Sequence, residues 1–180
     1  YGKAGVGKST ILNCILRENF FKTDILNGST KNFESKEISF NKGIIKTIEL
    51  VDTPGFDSYN ISNDKKDIKN LFNLDLILFV ITGDLNRNEL DKLSELIRKG
   101  KSIILILNKI DIWKKNELQV LKDNIKNKLP LNCKIPFLTL TAKYKKNYIY
   151  TYIINTINTI GYELIIYNTY QIANNLSQNI

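Results

Sequence analysis

Gly2-Lys3-Ala4-Gly5-Val6-Gly7-Lys8-Ser9 decides the fold. The stretch matches G-x-x-x-x-G-K-[ST] in full, and a chain of this composition is expected to contain such a match roughly 0.007 times by chance. Each part has a physical job. The glycines reach backbone angles closed to other residues, so successive N–H groups turn inward and cradle phosphate oxygens. Lys3, Ala4 and Val6 supply further amides to that cradle. Lys8 is placed to meet the β- and γ-phosphates, and the Ser9 hydroxyl to ligate Mg²⁺. Lys8, Ser9 and Thr10 open a helix whose positive end faces the same anion.

Outward from this loop, apolar runs and helical periods alternate in an α/β rhythm. Ile11, Leu12, Ile15 and Leu16 share one face of the helix that starts near Lys8. Lys36–Phe40 and Ile44–Val51 read as strands of a hairpin turned at Asn41-Lys42-Gly43. Leu74–Thr82, Ser102–Leu107 and Ile135–Thr141 are nearly continuous apolar runs, the pattern of parallel strands buried on both faces. Between them lie a helix carrying Leu90, Leu93, Leu96 and Ile97, ended at Gly100, and one carrying Leu118, Leu121, Ile125 and Leu129, closed by Pro130. A last helix begins near Tyr148, with Ile153, Ile154, Ile157 and Ile160. The pattern predicts an α/β domain over residues 1–160: a mostly parallel sheet with helices on both faces and one antiparallel strand. Residues 161–180, with Leu164, Ile165, Tyr167, Tyr170, Ile172 and Leu176, read as a helical extension, the possible start of a further module.

Three more elements fall at strand ends, where open α/β sheets bind ligands. Ile48–Val51 runs into Asp52-Thr53-Pro54-Gly55. Asp52 is placed to hold Mg²⁺ through water, and the Gly55 amide to donate to a γ-phosphate. A D-x-x-G arises about 0.5 times by chance in this composition, so it gains its weight from the loop upstream. Thr30 is the candidate for a second Mg²⁺ ligand that senses the γ-phosphate, with Ser29 and Thr23 as competitors. Ser102–Leu107 ends in Asn108-Lys109-Ile110-Asp111, and the following strand ends in Thr141-Ala142-Lys143.

The ordered set GKAGVGKS, Thr30, DTPG, NKID and TAK resembles the G domain of translation-factor-related P-loop GTPases, most of all their Era-like branch. The resemblance spans about Gly2 to Ile160. It implies GTP or GDP as ligand, with Mg²⁺ on Ser9, Thr30 and Asp52. Asp111 would accept from the guanine ring N–H and exocyclic amine, a pair that adenine lacks, so ATP would leave a carboxylate unpaired. Asn108 would brace the base and neighbouring loops, and Lys109 would lay its stem over the purine. The Ala142 amide would meet the guanine carbonyl, with Thr141 and Lys143 holding that loop. Lys8 and Thr30 are the candidates for transition-state and switch roles, with Lys22–Ser35 and Asp57–Asn70 as switch loops. Two positions depart from the wider pattern. Phe56 stands where Ras-like enzymes carry a water-orienting glutamine, and Gly5 stands where potassium-stimulated relatives carry asparagine. The residue that orients the attacking water is not identifiable, and slow hydrolysis is expected.

Composition bounds the rest. The chain of 180 residues has 43% hydrophobic and 24% charged residues, which excludes a disordered chain. It contains no histidine, which excludes histidine triads and Cys/His zinc sites. The net charge is +8, yet 28 Ile, 23 Asn and 23 Lys point to an AT-rich genome, so the charge is weak evidence for a polyanionic partner. Cys14 and Cys133 stand apart, as in a reducing compartment: the cytoplasm or, by resemblance, an organelle such as a plastid. Lys143-Tyr144-Lys145-Lys146-Asn147-Tyr148 reads either as an RNA-binding strip or as a solvated lysine loop. Partners open to the reading are a ribosome or RNA, a membrane, and a protein effector. Two other classes stay open: a GTP-dependent scaffold with negligible turnover, and an ATP-dependent P-loop enzyme, against which NKID and TAK argue. The sequence begins with Tyr1 and has no methionine, so a fragment is expected. Only Tyr1 precedes the phosphate loop, so the strand that feeds it is expected to be cut short.

Overall fold

Strand β4 (Ser102–Leu107) is the axis of the structure, because its side chains feed two separate cores. In a computed structural model, residues 1–23, 30, 32–39, 47–57, 71–130, 135–141, 151 and 153–159 are described. The sequence Ser-Ile-Ile-Leu-Ile-Leu leaves five of six residues of β4 buried, as a parallel strand covered on both faces requires. β4 pairs in parallel with β3 (Leu76–Ile81) on one side, from Leu76 opposite Ser102 to Ile81 opposite Leu107. On the other side it pairs in parallel with β5 (Phe137–Thr139). The strand expected over Ile135–Thr141 is therefore shorter in its regular part, although Leu140 still donates its amide to Leu107 O at 2.9 Å.

Helices lie on both faces, as expected. Ile104 and Ile106 of β4 pack with Ile11, Leu12 and Ile15 of α1 (Lys8–Leu16) and with Ile153 and Ile157 of the helical residues 153–159. Cys14 is wholly buried in the same core. Ile103, Leu105 and Leu107 point the other way, toward Leu93 and Leu96 of α2 (Arg87–Arg98) and Leu121 and Ile125 of α3 (Lys115–Lys128). Each such side chain contributes about 1.5–3 kcal/mol on burial, so alternation along one strand binds both helical layers to the sheet.

The expected hairpin is present as β1 (Glu34–Ser39) and β2 (Thr47–Asp52), antiparallel, with Ser39 opposite Thr47 and Glu34 opposite Asp52. Its turn at Asn41-Lys42-Gly43 lies outside the described residues, as do Ser29, Cys133, Ala142, the Lys143–Tyr148 cluster, residues 161–180 and most of the two polar loops. β1 is polar and exposed, which suits an edge strand. The sheet is divided: among the described residues no ladder bond joins β2 to β3. Between them lies a cavity of about 580 Å³ lined by Leu50, Leu76, Leu78, Ile11, Leu12 and Ile157 among others. Tyr1 sits at its margin, its amine donating to Leu78 O and its carbonyl accepting from Val80 N, each at 2.8 Å.

Candidate nucleotide site

The phosphate loop is an open backbone curl running into α1. Gly5 and Gly7 have φ of 72° and 94°, angles that favour glycine. At Gly7 there is a second constraint, since a Cβ there would collide with the Asn108 side-chain amide. Gly7 caps α1 with no side-chain hydrogen bond, and no acidic residue stands in the first turn. The positive end of this helix is thus left to an external anion.

Lys8 is only 9% exposed, and its Nζ donates to Lys3 O at 2.8 Å. Burial pushes its ammonium below the usual lysine range, while the nearby Asp52 and Asp57 carboxylates pull it back up. A phosphate would supply the counter-charge that burial demands.

The three residues proposed from sequence to hold Mg²⁺ come together. Ser9 Oγ donates to Asp52 Oδ2 at 2.6 Å, and Thr30 Oγ1 donates to the same oxygen at 3.1 Å. The two hydroxyl oxygens lie 3.5 Å apart. Asp52 is buried at the end of β2, and its Oδ1 accepts from the Thr53 amide at 3.1 Å. Two hydroxyls and one carboxylate form a hard oxygen set that fits Mg²⁺, which commonly takes few protein ligands and completes its shell with water and phosphate. Of the competitors for Thr30, Thr23 makes no such contact among the described residues, and Ser29 lies outside them.

The NKID turn is tied to the phosphate loop by two lysine and asparagine contacts. Asn108, 2% exposed, donates from Nδ2 to Val6 O at 2.9 Å. Lys109, in the left-handed region at φ 58°, donates from Nζ to Gly5 O at 2.7 Å. Asp111 lies exposed in the short 3₁₀ turn Ile110–Ile112. The Ile110 amide donates to Leu140 O at 3.3 Å, so this turn and the segment leading to Thr141 are fixed to one another. Trp113 packs beside the turn, its indole N–H donating to Thr82 O at 3.3 Å.

Gly55 is pressed onto the phosphate loop, where a Cβ would strike the Ala4 backbone nitrogen. Phe56 turns away. It is 7% exposed, with its ring 5.4 Å from that of Tyr1 and 6.4 Å from that of Phe79, centre to centre. Sequence reasoning missed two contacts here. Glu89 is 5% exposed and sits 3.4 Å from Lys3 Nζ, and the N-x-x-E capping pattern Asn86–Glu89 was the available signal. Asp57, placed from sequence only as the first residue of a switch loop, accepts from the Ala4 amide at 2.6 Å, a contact that no local pattern marks.

A buried-strand α/β sheet with these loops at its strand ends defines a P-loop GTPase G domain. Residues 1–109 match the family described as 50S ribosome-binding GTPase, and the chain belongs to that family. It is 36% identical over 130 residues to the tRNA modification GTPase MnmE of Thermoanaerobacter sp. (strain X514), covering 70% of this chain and 28% of that protein. It is 29% identical over 157 residues to the GTPase Der of Buchnera aphidicola subsp. Acyrthosiphon pisum (strain Tuc7), covering 81% of this chain and 33% of that protein. Among solved structures it is similar to Era in complex with MgGDPNP and a segment of 16S ribosomal RNA, with a TM-score of 0.72 and 25% identity, over 88% of this chain and 54% of that one. Era of Aquifex aeolicus bound to GDP·AlF₄⁻ gives a TM-score of 0.69 at 25% identity, with the same coverage of 88% and 54%. The chain spans about a third or less of the curated relatives it matches. No helix among the described residues is long and apolar enough to cross a membrane.

Proposed function

We propose that this domain binds GTP with Mg²⁺, hydrolyses it slowly to GDP and phosphate, and acts as a nucleotide-dependent switch. The observation that carries this reading is the meeting of Ser9 and Thr30 hydroxyls on one oxygen of Asp52, beside the uncapped start of α1. In this reading the amides of residues 4–10 hold the phosphates, and Lys8 faces their negative charge. Ser9, Thr30 and Asp52 hold the metal, which when bound neutralises charge at the β- and γ-phosphates. Asn108 and Lys109 keep the base-binding turn in register with the phosphate loop. Asp111 selects guanine, with Ala142 and Lys143 completing the base pocket. Thr30 and Gly55 report the γ-phosphate, and the loops on either side of β1 and β2 respond to it.

A second reading has one observation in its favour. Phe56 is packed against Tyr1 and Phe79 and has no group that could orient water. This supports a GTP-bound scaffold that turns over negligibly without an outside factor. Likeness to an Era structure containing 16S ribosomal RNA makes a ribosomal RNA partner the reading to test first.

The experiment is a fluorescent-nucleotide titration with Mg²⁺ and with EDTA, followed by multiple-turnover phosphate release with and without ribosomes. Guanine-nucleotide binding that weakens for GTP in EDTA, with slow release, supports the switch. Tight binding with no release under any condition supports the scaffold. Equal competition by ATP removes the guanine assignment.

A further inference from the structure

Asp57 opens the loop read as the second switch and has no role of its own in the phosphate-binding reading, yet it touches the same groups. Its Oδ1 accepts from the Ala4 amide at 2.6 Å, a bond that spans 53 residues of sequence. Gly55, the residue read as the γ-phosphate sensor, is packed against that same Ala4 nitrogen. Ala4, Gly55 and Asp57 therefore converge at the end of the loop where a third phosphate would sit. The carboxylate also favours the charged form of Lys8, which places its field on the cation at the heart of the loop. Asp52 is the other carboxylate acting on Lys8, and its oxygens are taken by Ser9, Thr30 and the Thr53 amide. Glu89 is engaged by Lys3 and by the Asn86 amide. Asp57 is the exposed acid, held by a single backbone amide among the hydrogen bonds described.

An amide facing an anion site and a buried ammonium are both partners for phosphate. We infer that Asp57 is a built-in competitor of the γ-phosphate, whose carboxylate occupies the Ala4 amide when that position is empty and sets the preference between di- and triphosphate. This inference rests on the phosphate-binding reading of the loop. A diphosphate leaves the carboxylate in place. A triphosphate brings a terminal group of up to about two negative charges beside it and must displace it, so Asp57 taxes GTP and leaves GDP untouched.

The test is Asp57→Asn, which keeps the shape and an oxygen to accept from Ala4 but removes the charge, with Asp57→Ala beside it. Affinities for GDP and a non-hydrolysable GTP analogue are measured at low and high salt. Both variants are expected to bind the triphosphate about five- to tenfold more tightly, with GDP affinity within about twofold and a smaller gain at high salt. An unchanged ratio, a weaker triphosphate complex, or equal shifts for both nucleotides overturns the inference. In the last case Asp57 only supports the loop. Wild-type GDP binding, run in parallel with Lys8→Met, separates the two levels. If the wild type binds no guanine nucleotide, the loop reading falls and this inference with it. If it binds both and the ratio ignores Asp57, only this inference falls.

Discussion

In the proposed reading, Lys8 stores binding as instability at the scale of one residue. Its ammonium is buried against the carbonyl of Lys3, and burial works against its charge. The folded chain carries that cost, and in the proposed reading a phosphate would relieve it. Lys8→Met keeps the stem and removes the charge. The nucleotide-free variant is expected to gain about 1 kcal/mol in denaturant melts, while affinity for GDP and GTP falls at least about tenfold. A stability loss with binding intact would show that Lys8 is a packing residue. Asp111 carries the opposite case, an exposed carboxylate that costs the empty protein little. Asp111→Asn is expected to leave the melting temperature unchanged and to shift preference from guanosine to xanthosine triphosphate, whose extra carbonyl needs a donor there. Competition titration with the two nucleotides checks it, and an unaltered preference would remove Asp111 from the base site.

Among elements, α2 governs more of the site than its distance in sequence suggests. Asn86 Oδ1 accepts from the Glu89 amide and Glu89 Oε2 accepts from the Asn86 amide, each at 3.0 Å, closing the helix start. The other oxygen of Glu89 faces Lys3 of the phosphate loop at 3.4 Å. One side chain thus joins a helix cap to the loop. Glu89→Ala is expected to lower stability by about 1–2 kcal/mol, and a double-mutant cycle with Lys3→Ala to show coupling of about 0.5–1 kcal/mol. A coupling of zero would leave only the cap. Here the limits of sequence reading become physical. α1, α2, β4 and α3 were legible because their apolar spacing, caps and breakers are local. GKAGVGKS, Asp52 and the NKID turn were legible as loops at strand ends because each motif is contiguous in sequence, and their ligand roles belong to the proposed function. The contacts of Glu89 and Asp57 with the phosphate loop were not, because only the folded chain brings those neighbours near, Glu89 at 86 positions from Lys3 and Asp57 at 53 from Ala4. β5 was read too long because Ile135, Pro136 and Leu140 continue the apolar run beyond its regular ladder.

At the scale of the whole molecule, the division between β2 and β3 is the feature most open to experiment. Two strand edges face a cavity of about 580 Å³ whose lining is rich in Ile and Leu. Thr53 Oγ1, buried and without a hydrogen-bond partner among the described residues, lies on the same wall. Tyr1 already forms the first rung on β3, through Leu78 and Val80. An extended segment continuing from Tyr1 along β3 would pair the edges of both strands and cover the apolar lining, and about five residues match the usual strand length. Such a segment would also fix the start of the phosphate loop, because Gly2 follows directly and has no room for a Cβ against Val80 O. Five β-branched apolar residues fused ahead of Tyr1 are therefore expected to raise the melting temperature by several degrees, on the order of 2–4 kcal/mol in stability, and to tighten GDP binding in parallel. Polar residues of equal number in the same place should do neither, since they would stay in solvent. Calorimetry and nucleotide titration of the three chains side by side decide it. If the apolar and polar extensions behave alike, the cavity is not a strand site.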